Sequence, residues 1–131
     1  AACVRAVEAV NAAKARLTLA NRERTATGAR PLHFGLGLHV GELTYGNIGT
    51  PDRLEFTVIG TAANVAARLQ DLCKSFGQSV LVSDAFVKTL HGGQLPMEPN
   101  VVSRLDARFE RIGGTHNLRG IREPIGIFTM R

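Results

Sequence analysis

The sequence predicts an α+β fold, a single sheet with helices packed on it. Three observations lead there. An Ala-rich opening stretch carries apolar residues at helical spacing, several later runs alternate or are rich in β-branched residues, and a second helical pattern is launched from a Gly turn between them. With 131 residues the chain can bury a real core, and its 44% hydrophobic content is that of an ordinary globular protein. The whole chain, 1–131, is therefore expected to be one domain or part of one.

The first element is a helix over residues 1 to about 24, with Val7, Val10, Ala13, Leu17 and Ala20 on one apolar face. No capping residue precedes it, and the chain starts within the helical pattern without methionine, so sequence upstream of Ala1 is expected in a parent protein. Thr27, Gly28 and the basic residues before Pro31 close the helix. Next, Leu32, Phe34, Leu36 and Leu38 alternate with His33, Gly35, Gly37 and His39, which predicts a strand continuing through Val40 to Tyr45. Its apolar set should pack on helices. The opposite face is bare at two glycines, which leaves open a ligand or dimer surface on one hand and a simple bend on the other.

The run from Gly46 to Asp52 is dense in turn residues and predicts a hairpin connection into a second strand over Leu54 to Ile59. A helix follows to about Phe76, with Thr61 expected to cap it; Val65, Leu69, Leu72 and Phe76 form its buried stripe. Ser79 to Val82 predict a short strand, and Ser83 a cap for a helix ended by Gly92 and Gly93. Residues 94–104, with Pro96 and Pro99, are expected to be a loop before two final strands at 107–112 and 125–130.

Composition excludes some functions. No apolar run approaches the ~20 residues needed to span a bilayer. Cys3 and Cys73 match no disulfide or metal framework and are expected to be buried thiols in a reducing, cytoplasmic setting. The net charge of +5 is partly gathered at Arg16, Arg22, Arg24 and Arg30, where a solvated basic helix end explains it. With one tyrosine and no tryptophan, a stacking platform for nucleic acid is poorly supplied. His33, His39, His91 and His116 have no carboxylate or thiol at zinc-ligand spacing, and Glu42 and Asp52 are expected to be solvated or salt-bridged.

The chemistry concentrates between Phe56 and Leu69. A strand ends in Gly60, and the helix after it sets Asn64, Arg68 and Asp71 on a polar stripe beside its buried one. Thr57 has the opposite strand parity to Phe56 and Val58. A hydroxyl, an amide and a guanidinium near a helix start suit a phosphorylated ligand, because free amides and the dipole favour anions and Arg offers a fork of donors. Solvated polar residues on a first helical turn would look the same by spacing alone.

The segments Gly37-Leu38-His39-Val40-Gly41-Glu42, Gly46-Asn47-Ile48-Gly49, Arg53, Phe56-Thr57-Val58-Ile59-Gly60 and Asn64-Val65-Ala66-Ala67-Arg68-Leu69, with Ser83 and Leu118-Arg119-Gly120 later, resemble the class III nucleotide cyclases. The resemblance covers essentially the whole chain. It implies a ferredoxin-like antiparallel sheet with helices packed on it, lacking its first strands, and an adenylate cyclase forming cyclic AMP and pyrophosphate from ATP. By that resemblance Asn64 orients the ribose, Arg68 stabilises charge on the α-phosphate, Thr57 selects adenine, and Arg119 reaches toward the terminal phosphates. Thr61 and Ala63 depart from the usual acidic residue and valine of this turn. The family's two Mg²⁺ or Mn²⁺ ions are held by an aspartate pair that this chain does not contain. The resemblance also implies a head-to-tail homodimer, with strand exchange possible here. The chain would then be inactive alone, supplying only one half of each site. A degenerate cyclase-homology module, serving regulation or dimerisation, is the alternative.

Overall fold

The computed structural model describes residues 2–50, 53–93, 100–102 and 108–131, with the side chains of 45, 47–50, 53–59 and 100–102 outside that description. The elements run α1 (Ala2–Ala26), β1 (Leu36–Leu38), β2 (Thr44–Thr50), β3 (Arg53–Ile59), α2 (Thr61–Ser75), β4 (Val80–Ser83), α3 (Asp84–Leu90), β5 (Asn100–Val102), β6 (Arg108–His116) and β7 (Ile125–Met130). The main sheet has the order β1-β4-β7-β6-β5, and β2 pairs with β3 in a separate ribbon. Every pairing in the main sheet is antiparallel except β1 with β4.

Side-chain alternation divides the core between the sheet's two faces. On one face Val80 and Val82 of β4, with Phe109, Phe128 and Met130, meet Cys3, Val7 and Val10 of α1 and Phe86 and Val87 of α3. Phe34, Leu36, Leu38 and Val40 pack against this cluster, as their alternation predicts. On the other face Leu81 and Ile127 meet Val65, Leu69 and Cys73 of α2, together with Leu118. β4 is buried along its whole length because helices cover both its sides.

α1 follows the predicted face only through its first turns. Past Val10 its apolar positions are half-buried at best, and Leu19 is 59% exposed. The helix is held at its far end by polar bonds instead. Lys14 Nζ donates to the Met130 carbonyl at 2.9 Å, and partial burial there lowers the lysine's pKa. Asn21 grips Leu32 from both sides, accepting from its amide at 2.7 Å and donating to its carbonyl at 2.9 Å. Arg24 Nε donates to the Arg30 carbonyl.

The predicted strand from Leu32 to Tyr45 is broken into shorter pieces. Leu32 is largely exposed, β1 has only three residues, and the chain leaves the sheet at His39 to cross the start of α2. A Cβ on Gly41 would lie 2.8 Å from Ala62 Cβ, so that crossing is close. The glycine face of β1 receives a helix. It lies under α2: a Cβ on Gly37 would strike the Ala66 carbonyl and sit 2.8 Å from the Gln70 amide, and one on Gly35 would sit 3.2 Å from Cys73 Cβ.

Other differences are local. Gly46 to Thr50 is strand rather than turn, since β2 and β3 stay in register from Thr44–Ile59 to Thr50–Arg53. The connection is thus Pro51-Asp52, which lies outside the described residues. Residues 100–102 of the expected loop add β5 to the sheet edge. β6 runs past Gly113 and Gly114 to His116, because a register shift between Arg111 and Thr115 absorbs the glycines and lets pairing resume.

The close approach of α2 to β1 gives a direct test. Gly37→Ala is expected to cost about 1–3 kcal/mol in urea denaturation, the usual penalty of overpacking a rigid core. Gly114→Ala, whose Cβ meets nothing within 4 Å, is the matched control and should change stability little.

Candidate functional site

α2 begins where β3 ends. Gly60 is its N-cap and no side chain accepts there, so Thr61 is the first helical residue rather than the cap. Over its length Val65, Leu69 and Cys73 are buried while Leu72 and Phe76 are only partly so. Anchored by that stripe, the adjacent face presents Asn64, exposed, and Arg68, half-exposed, one turn apart.

Arg68 is held from two directions. Its Nε donates to the Arg119 carbonyl at 3.0 Å, and its Nη1 reaches Asp71 Oδ2 at 3.4 Å. The Asp71 pair is 42% and 67% exposed, so it contributes only about 0–1 kcal/mol and serves orientation more than stability. The second Nη1 proton and both Nη2 protons have no partner among the described residues. A guanidinium held from two directions, with Nη protons left over among the described residues, is suited to donate to an anion.

The four predicted site residues are brought together unequally. Asn64 and Arg68 share a helix face, and Arg119 joins Arg68 through its main-chain carbonyl while its own side chain is exposed. The side chain of Thr57 lies outside the described residues; its backbone stands opposite Gly46 in the ribbon. The carbonyl of Arg119 was not foreseeable from side-chain chemistry. The signal was the Leu-Arg-Gly-Ile run, whose Gly marks a turn able to aim a peptide group. A groove of about 510 Å³ between Phe34–Gly35 and Gln70, Asp71 and Lys74 touches this cluster only at Asp71.

The described residues hold no divalent-metal site. No three His, Cys, Asp or Glu side chains come together among the described residues. Asp71 faces Arg68, Asp84 Oδ1 accepts from the Ala85 amide, and Glu110 pairs with Arg131. Both thiols are buried, and burial raises the pKa of each.

Near the start of α3, Ser83 Oγ accepts from the Phe86 amide, the predicted cap, worth about 1 kcal/mol. The same oxygen lies 2.7 Å from His39 Nδ1. While accepting from Phe86, the hydroxyl can still donate its proton to an unprotonated Nδ1 of a neutral imidazole. Burial lowers the pKa of His39, partly offset by the charge of Asp84.

No family model matches the chain. An adenylate cyclase of Anabaena cylindrica is 38% identical over 64 residues, covering 49% of this chain and 13% of that protein. Adenylate cyclase 1 of Rhizobium meliloti is 37% identical over 76 residues, covering 58% and 11%. An uncharacterized protein of Mycobacterium tuberculosis is 35% identical over 103 residues, covering 79% and 16%. This chain thus spans only a small part of the length of these relatives. The crystal structure of the guanylyl cyclase Cya2 matches the fold with a TM-score of 0.67 at 24% identity, over 98% of this chain and 57% of that one. The sheet with its covering helices and the relatives' sequences agree on one class. The relatives' sequences and the fold shared with Cya2 support a class III nucleotide cyclase domain in this chain.

His39 makes stability pH-dependent with a definite sign. Its folded pKa lies below the unfolded value of about 6.5, so the unfolded chain binds more protons as the solution acidifies. This contribution is complete above that pH and is lost as pH falls through it toward the folded value. The urea midpoint is expected to drop between about pH 7.5 and 5.5, with a shallower drop in His39→Gln.

Proposed function

We propose that this chain is the charge-stabilising half of an adenylate cyclase catalytic domain, which in its parent protein converts ATP to 3′,5′-cyclic AMP and pyrophosphate. The observation that carries the reading is the half-open guanidinium of Arg68, held by Arg119 and Asp71 on the helix face it shares with Asn64. As the ribose 3′-oxygen attacks the α-phosphorus and pyrophosphate departs, negative charge builds on the phosphate oxygens. The Nη protons of Arg68 that have no partner among the described residues are donors to that charge, and a donor placed in advance lowers the barrier without reorganising. Asn64, one turn nearer the helix start, holds the ribose so that its 3′-oxygen lies in line.

Thr57 selects adenine in this reading, and the relatives named adenylate cyclases support ATP over GTP. The exposed Arg119 side chain reaches toward the terminal phosphates. The chemistry that two divalent ions would supply is activation of the 3′-hydroxyl and neutralisation of the triphosphate. Their ligands are proposed to come from outside this chain, in a head-to-tail homodimer where each site takes metal ligands from one subunit and Asn64 and Arg68 from the other. The chain alone is therefore inactive in this reading.

Arg68→Ala in the parent protein tests the proposal. The expected result is a 10²–10³-fold fall in kcat for cyclic AMP formation, with thermal stability nearly unchanged because the side chain is half-exposed. An unchanged kcat would remove Arg68 from this role. Cyclic GMP as the dominant product would remove Thr57 from its own.

A further inference from the structure

The carbonyl that holds Arg68 belongs to a tight turn. The Ile121 amide donates to the Leu118 carbonyl at 3.0 Å, closing a four-residue turn over Leu118-Arg119-Gly120-Ile121. Gly120, at its third position, has φ +80°. A positive φ there fits a type II turn, since type I′ would also need a left-handed Arg119; the central peptide of type II is turned over relative to type I, and Gly or Asn is favoured at that position. The carbonyl of that central peptide is the Arg119 carbonyl, the acceptor for Arg68 Nε. A Cβ on Gly120 would meet nothing within 4 Å, so space does not call for glycine here. Only the backbone conformation does.

The turn is also fixed to the helix it serves. Leu118, 6% exposed, packs in the cluster with Val65 and Leu69, which flank Arg68 on α2. The buried start of the turn sets its distance from α2, and its peptide orientation decides whether a carbonyl or an amide proton faces the guanidinium. An amide proton there would repel Arg68.

We propose that Gly120 is a positioning residue: its left-handed conformation aims the Arg119 carbonyl at Arg68 Nε, and Asp71 steadies Nη1, so that the remaining Nη protons face the reacting phosphate. The inference rests on the role given to Arg68 above. Gly120→Ala disfavours the type II turn without a steric clash, whereas Gly120→Asn tolerates the left-handed conformation.

The test uses the parent protein for kinetics and this chain for the Arg68 Nε–H signal in ¹⁵N–¹H spectra, identified by its loss in Arg68→Lys. In the wild-type chain that proton is expected to exchange with water more slowly than in a free arginine, and in Gly120→Ala to exchange as a free one. In the parent, Gly120→Ala is expected to lower kcat on the order of 10–100-fold, the scale of a misplaced catalytic group, with KM changed less than about twofold. Gly120→Asn should recover most of kcat and the slow exchange. Three outcomes would overturn the proposal: fast Nε exchange in the wild type, an unchanged kcat in Gly120→Ala, or an Asn variant as impaired as the Ala variant. If Gly120→Ala is unimpaired while Arg68→Ala is inactive, only the positioning fails. If Arg68→Ala is active, the reading beneath it fails.

Discussion

The close approach of α2 to β1 is the constraint on which the rest of the structure depends. A helix can come this near a strand only where the strand offers no side chains, and β1 offers Gly35 and Gly37. The backbone of α2 at Ala66 and Gln70 occupies the volume that any Cβ at Gly37 would need. Val65, Leu69 and Cys73 are thereby pressed onto Leu81 and Ile127, and that contact fixes both the height and the rotation of the helix over the sheet. Once the rotation is fixed, so is the direction of Arg68, one position before Leu69.

The orientation of the face that carries Asn64 and Arg68 is thus a by-product of core packing. Leu118, in the connection between β6 and β7, enters the same cluster and brings the Arg119 carbonyl to 3.0 Å from Arg68. Exposed ion pairs such as Arg68–Asp71 are weak on their own. Here the buried residues on both sides restrict the geometry, so a weak pair and one hydrogen bond suffice to orient a long side chain. His39 and Ser83 tie the end of β1 to the cap of α3, linking the strand to the helical layer that α3 shares with α1.

Much of this was legible in the sequence where the physics is local. The bounds of α2, the Ser83 cap, the strand ending at Met130 and the alternation of Phe34, Leu36 and Leu38 all follow from periodicity and capping chemistry. What was not legible depends on tertiary partners. Bare glycines announce a close neighbour but not which one, so Gly35 and Gly37 fitted a ligand surface as well as a helix. Gly46 and Gly49 look like turn residues, yet the register of β2 with β3 carries them as strand. The three residues of β5 were hidden by Pro96 and Pro99, which precede them. At the site, Asn64 and Arg68 were visible from helical spacing, while the acceptor for Arg68 was a main-chain carbonyl and had no side-chain signature.

The central claim is that this chain holds the half of a cyclase site that stabilises charge, its complement lying elsewhere. The most direct measurement is cyclic AMP formation by purified 1–131 with ATP and either Mg²⁺ or Mn²⁺. The account predicts no turnover above the uncatalysed background. Robust formation of cyclic AMP by this chain alone would contradict it.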